Sequence, residues 1–345
     1  MRILIATDAW KPQVNGVVRS LESVAKALRE FGAEIEFLTP QGFASVPLPT
    51  YSEIKLAFAS AGSIRKRLDG APIDHIHIAT EGPVGFAARR YCLRNKRAFT
   101  TSYHTRFPEY IRARTFLPES ITYSVLRRFH NAGSGVMVST ASIANDLEKR
   151  GFERLMFWSR GVDHRLFSPD RRIKLDLPGP IYLYAGRLAP EKNIEGFLSL
   201  DLPGSKVVVG DGPSRRALEA AYPDAHFVGA KDSDTLAAYY ASSDVFVFPS
   251  RTDTFGMVLL EALSCGLPVA ALPVAGPLDV IGSSGVGVLD EDLRAACLKA
   301  LETPREKARA YALTFTWANS ARQFLDNIIR AKALGQVKMV PTPLF

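Results

Sequence analysis

The chain has 345 residues, 47% of them apolar and 23% charged, with a formal net charge of +8. That length and balance describe a soluble globular protein with room for two cores, and no apolar run approaches the roughly 20 residues of a membrane-spanning helix. Cys92, Cys265 and Cys297 lie far apart without metal-ligand spacing, which excludes a disulfide framework or zinc site and favours a cytoplasmic setting.

Strand and helix signals alternate from the start, the pattern of parallel sheets covered by helices. Ile3 to Ala6 reads as a strand rather than a signal peptide, since Asp8 interrupts it at once and no cleavage region follows. A loop carrying Asp8, Trp10, Asn15 and Gly16 leads into a helix with Val17, Leu21, Val24 and Leu28 at helical spacing. Gly16 sits where a helix N-terminus presents amides to an anion. After Gly32, the runs 35–38, 73–78, 99–103 and 136–138 are further strands. His75 and His77 share a strand face, but no third metal ligand is evident.

Between residues 60 and 130, thirteen Lys or Arg face five acids. A solvated basic face and an anionic partner both fit. The interleaved string Phe107-Pro-Glu-Tyr110-Ile-Arg112-Ala-Arg114-Thr-Phe116-Leu117 suits a lipid headgroup interface, and no nucleic-acid-binding module is recognisable.

A second half opens after Arg160-Gly-Val-Asp163, with strands at 181–185, 206–209, 226–228, 245–248, 269–272 and 286–289. The first of these leads into Gly186-Arg187-Leu-Ala-Pro-Glu-Lys192-Asn193, which puts two cations at a sheet edge suited to a diphosphate. Gly210-Asp-Gly212 follows the second, and Val228-Gly229 ends the third. Asp232-Ser-Asp234 and Asp290-Glu-Asp292 precede helices and read as N-caps. The fourth strand ends in Pro249-Ser-Arg-Thr-Asp253-Thr-Phe-Gly256-Met-Val-Leu-Leu-Glu261, where seven residues separate two carboxylates. Asp253 falls in a loop, and Glu261 falls about a turn and a half into a helix closed by Gly266. One hydroxyl-rich ligand over that helix end could meet both, together with the amides of Thr254 to Val258.

These motifs together resemble glycosyltransferase family 4 (glycosyl transferases group 1), retaining enzymes that include glycolipid synthases and GDP-mannose-dependent lipid mannosyltransferases. The resemblance implies an α/β GT-B fold: two facing Rossmann-like doubly wound parallel-sheet domains with an interdomain cleft. Residues 1–162 would bind acceptor and 163–314 the nucleotide-sugar donor, with a final helix within about 315–345 packing back on the first domain. Gly16, Arg187, Lys192, Gly210, Gly212, Val228, Asp253, Thr254, Phe255, Gly256, Met257, Val258 and Glu261 would bind donor. His104, in the string Thr101-Ser-Tyr-His104-Thr, would lie beside the transferred sugar. With it, Arg187, Lys192, Asp253 and Glu261 form the expected catalytic set, and Asp8, Asn15, Arg106, Tyr110, Arg112 and Arg114 would meet acceptor or membrane. Asp253 replaces the family's usual Glu, keeping the charge on a shorter arm.

The implied reaction is metal-independent transfer with retention, without a cofactor. Its donor is a nucleotide-sugar and its acceptor a lipid at the cytoplasmic face of the membrane. UDP-glucose, UDP-galactose or UDP-glucuronic acid with a diacylglycerol-type acceptor is the favoured pairing. GDP-mannose with a phosphoinositide or glycolipid is its rival, and a non-catalytic sugar-nucleotide-binding protein is the alternative of another class.

Overall fold

The computed structural model describes residues 1–12, 16–48, 51–68, 72–115, 117–251 and 253–334, with only the backbone for residues 48, 51–55, 110, 113 and 114. The chain divides into two units, Met1–Ser159 with Trp317–Phe345, and Arg160–Thr316.

Unit 1 begins β1 (Arg2–Ala6), α1 (Gly16–Glu30), β2 (Glu34–Leu38), the antiparallel hairpin β3 (Ser45–Leu48) and β4 (Tyr51–Ala57), and α2 (Ala61–Leu68). It continues through β5 (His75–Ile78), α3 (Pro83–Arg94), β6 (Phe99–Ser102), α4 (Phe107–Arg114), α5 (Glu119–His130), β7 (Gly135–Val138), α6 (Ala141–Lys149) and β8 (Leu155–Phe157). The main sheet is parallel, ordered β2-β1-β5-β6-β7-β8.

Alternation along β1 sends Leu4 and Ala6 into one core and Ile3 and Ile5 into another, as expected for a sheet covered on both faces. α1 buries Val18, Leu21, Val24 and Leu28. Gly32, at φ +75°, supplies the left-handed turn that ends it.

Unit 2 runs β9 (Ile181–Ala185), α7 (Glu195–Leu198), β10 (Ser205–Val209), α8 (Arg215–Ala221), β11 (His226–Gly229), α9 (Ser233–Ser242) and β12 (Val245–Phe248). After these come α10 (Met257–Ser264), β13 (Val269–Ala271), α11 (Ala275–Val280), β14 (Gly287–Leu289), α12 (Leu293–Ala300) and α13 (Arg305–Ala312). Its parallel sheet is ordered β11-β10-β9-β12-β13-β14. Leu183 and Phe246 enter the core on one face, and Tyr184 and Val247 the core on the other.

The last helix, α14 (Trp317–Ala333), belongs to unit 1. It buries Ala321, Phe324 and Ile328 among Ile3, Ile5, Leu21 and Trp158. The Trp158 indole donates to Ser320 at 3.0 Å, and the Ser159 amide to Gln323 at 2.8 Å.

The doubtful sequence signals resolve into structure. Asp232 and Asp292 cap α9 and α12, accepting from the amides of Thr235 and of Arg294 and Ala295. His75 and His77 share a buried hydrogen-bond ladder with Thr100, each at 2.9 Å, and His77 also meets Ser102.

Candidate active site

In an open parallel sheet, ligands bind beyond the strand C-termini where strand order reverses. Unit 2 reverses between β9 and β12, and the residues leaving those two strands hold the cations and the first carboxylate. The turn Pro190–Lys192 ends at Asn193, whose left-handed backbone (φ +51°) lets its side chain donate to the Pro249 carbonyl at 2.9 Å. That bond ties the two loops together. Lys192 Nζ then lies 3.0 Å from Asp253 Oδ2, both side chains less than a quarter exposed.

Burial pushes the Asp253 carboxyl up, but the Lys192 ammonium and the amides of Phe255 and Thr254 outweigh it and hold the group below the usual carboxylate range. The amides of Thr254 and Phe255 thus face Asp253. Phe255 and Gly256 are buried. Gly256, at φ +79°, turns the chain into α10, leaving Met257 and Val258 half-buried at its first turn.

Glu261 is 3% exposed, and the hydroxyl of Tyr240 lies 3.3 Å from its Oε2. A carboxylate held this deep is not a surface helix residue. Tyr240 is itself fully buried between Phe167 and Phe246, which fixes its ring and hence the position of its hydroxyl.

Arg187 is exposed at the end of β9, and its carbonyl accepts from the Tyr184 hydroxyl at 2.9 Å. The Gly210–Gly212 turn packs backbone to backbone on this segment. Leu188 donates to Asp211 at 2.9 Å and Ser214 to Leu188 at 3.0 Å, and a Cβ on Gly210 or Gly212 would strike the backbone of Gly186 or Leu188. These glycines thus fix the height of the Arg187 loop. Val228 is half-buried at the edge of the core.

Unit 1 reverses strand order between β1 and β5, and Asp8 occupies that point. Its carboxylate accepts from the amides of Val84 at 2.7 Å and Gly85 at 3.2 Å and from the Thr80 hydroxyl at 2.9 Å. Burial raises its pKa against the lowering effect of these donors. Asp8 therefore caps α3, a role that its position in the sequence does not reveal. Gly16 opens α1. His104 follows β6, half-buried, its ring 5.8 Å from that of Trp158.

Arg106 is turned inward to Glu109 at 3.0 Å and Asp146 at 3.3 Å, and Glu109 also accepts from Tyr123 at 2.7 Å. Its charge is matched within the unit. Arg112 is exposed and paired with Glu119 at 3.1 Å. Asn15 lies outside the described residues, as do the side chains of Tyr110 and Arg114. Sequence reasoning passed over Tyr240, Asn193 and Thr80, which act through side-chain geometry, although Asn193 closes a quoted motif.

Comparison with known proteins gives the family and the fold. The family model described as Glycosyltransferase Family 4 matches residues 14–166, and that described as Glycosyl transferases group 1 matches 179–303. A sulfoquinovosyl transferase of Arabidopsis thaliana is 32% identical over 78% of this chain, which spans 58% of that protein. A GDP-mannose-dependent alpha-mannosyltransferase of Mycobacterium tuberculosis is 30% identical over 84% of this chain and 83% of its own length. An alpha-monoglucosyldiacylglycerol synthase of Streptococcus pneumoniae is 25% identical over 87% of this chain and 78% of its own.

Among solved structures, sucrose-phosphate synthase from Thermosynechococcus elongatus superposes with a TM-score of 0.77 at 18% identity, covering 96% of this chain and 99% of that one. The Anabaena protein HepE, in complex with UDP-glucose, gives 0.73 at 17%, covering 95% and 99%. The fold is α/β of the GT-B class, and the chain belongs to the group 1, family 4 glycosyltransferases.

Proposed function

We propose that the protein transfers a sugar, with retention and without a metal, from a nucleotide-sugar to a membrane lipid. Unit 2 binds the donor and unit 1 the acceptor. The observation that carries this reading is the Lys192–Asp253 pair at the β9/β12 reversal, 3.0 Å apart, with Arg187 and Glu261 on the same loop and the following helix. In this reading Arg187 and Lys192 take the diphosphate, whose charge grows as the glycosidic bond stretches, so fixed cations favour the transition state over the ground state. Asp253 holds the sugar and Glu261 the ribose. The amides of Gly256 to Val258, the Gly210–Gly212 turn and Val228 complete the donor site of unit 2.

The acceptor hydroxyl attacks the anomeric carbon on the face from which the diphosphate leaves. As the new C–O bond forms and the old one breaks, the departing phosphate oxygen takes the proton. His104 orients a sugar hydroxyl.

The monoglucosyldiacylglycerol synthase supports a lipid acceptor, and the HepE complex supports a UDP-sugar donor. GDP-mannose is the second reading, favoured by the mycobacterial relative. No helix among the described residues is long and apolar enough to cross a membrane, so contact with the bilayer is peripheral in this proposal, at its cytoplasmic face.

The test is mass spectrometry of lipids after incubation with diacylglycerol vesicles and mixed UDP- and GDP-sugars. A hexosyl or hexuronosyl lipid with UDP release supports the main reading, and a mannosylated lipid with GDP release selects the second. Nucleotide-sugar binding without any turnover would mark a binding protein.

A further inference from the structure

α5 carries two apolar stripes, and the fold uses only one. Thr122, Tyr123, Leu126, Phe129 and His130 face inward and are buried. On the outer face Ile121 and Val125, four residues apart, are each 50% exposed, and with Ser120, Ser124 and Arg128 they line a shallow surface depression. A helix that serves only its own core carries polar residues outside. α3 extends the surface. Phe86 packs edge-on against Phe129 with ring centroids 4.8 Å apart, and Arg89 donates to the carbonyls of Arg128 and Phe129 at 3.0 and 3.1 Å. Phe86 is itself 43% exposed, and Arg90 and Arg94 follow it at intervals of four, both exposed.

The charge on this surface has one sign. α3 contains no acid, and the only acid of α5 is Glu119, which pairs with Arg112. Apolar side chains beside unopposed guanidinium groups match a layer with anionic headgroups above acyl chains. Two copies of the same face would instead bring Arg rows against each other.

We propose that the exposed face of α3 and α5, through Phe86, Arg90, Ile121, Val125 and Arg128, docks on an anionic lipid bilayer. It gives the lipid-acceptor reading, on which its purpose rests, a defined route to the membrane. The apolar residues enter the headgroup boundary, and each Arg adds roughly five-fold to binding.

The full chain is sedimented with vesicles of phosphatidylcholine alone and with 30% phosphatidylglycerol (about that fraction brings the surface potential into the range where basic residues bind). Wild type is expected to bind the anionic vesicles only. Ile121→Asp with Val125→Asp, and separately Arg90→Glu with Arg128→Glu, should each weaken binding at least ten-fold, while Arg112→Glu changes it little. A wild-type circular dichroism spectrum and an unchanged cooperative urea unfolding transition show that the variants are folded.

Undiminished vesicle binding by both double variants overturns the proposal. So does the absence of vesicle binding by wild type, or a self-association that the same substitutions abolish. Loss of vesicle binding by the variants, with no sugar transferred to lipid by wild type, leaves the docking face standing and removes the lipid acceptor. Lipid glycosylation with unaltered docking does the reverse.

Discussion

Lys192 and Asp253 are 61 residues apart in the chain and 3.0 Å apart in space, bridging the two loops that leave the reversal point of the unit 2 sheet. In the proposed reading, a donor diphosphate arriving at Lys192 meets an ammonium already oriented by a carboxylate. Lys192→Ala and Asp253→Asn should each lower kcat/KM by about 100-fold or more, the loss typical of removing one preorganised charge. Steady-state nucleotide release measures it, and near-wild-type turnover in either variant would remove that residue from the site.

The same pair sets a pH dependence. Because the folded-state pKa of Asp253 lies below its ordinary value of 3.8, its ionisation contributes stability that is full above that value. The contribution is lost as pH falls through the lower folded value. Acid titration of wild type against Asp253→Asn should show this component only in the wild type, at the acid end of the curve.

Tyr240→Phe keeps the buried ring and deletes the hydroxyl beside Glu261. With about 1 kcal/mol at stake in such a bond, KM for the nucleotide-sugar should rise roughly five-fold with kcat little changed. Equal loss of kcat and kcat/KM would place Tyr240 in the transition state instead.

Gly210→Ala sets a methyl group on the Gly186 backbone at φ +145°, whereas Gly32→Ala, at φ +75°, meets nothing within 4 Å. The first should cost about 3 kcal/mol or more and the second about 1. Urea unfolding of both variants checks the difference, and equal costs would show that the close approach to the Arg187 loop does not matter.

His75 is 2% exposed, and burial drives its pKa down to about 3, helped by Lys332 and Arg97. The unfolded chain takes up this proton below the ordinary pKa of 6.5, while the folded chain resists until about 3. Stability is therefore full above 6.5 and falls with decreasing pH, at up to about 1.4 kcal/mol per unit. His75→Asn should flatten that slope between pH 6 and about 4 in unfolding measured against pH.

What the sequence conveyed was periodicity. The strands at 181–185 and 245–248 and the helix after Gly256 stand out because alternating or continuous apolar runs end at glycine or proline, and the two carboxylates followed from their spacing. Side-chain direction did not show. Asp8 resembles a residue of an open loop, yet Thr80 and the amides of Val84 and Gly85, more than 70 residues on, turn it into a helix cap. Arg106 reads as one of many basic residues until Glu109 and Asp146 close on it. The hairpin of β3 and β4 was also missed, its Pro47 weakening the strand signal. Each of these depends on partners that only the folded chain assembles.

The Val162 amide donates to the Phe315 carbonyl at 3.1 Å, so the points where the chain enters and leaves unit 2 lie side by side. Unit 2 is thus an insertion whose two ends meet, lodged between β8 and the helix that completes unit 1. Exchanging it for the corresponding segment of a relative would need both joints cut at this one place. A fragment stopping at Ser159 would instead lack the helix that covers Trp158 and leave that side of the first sheet bare.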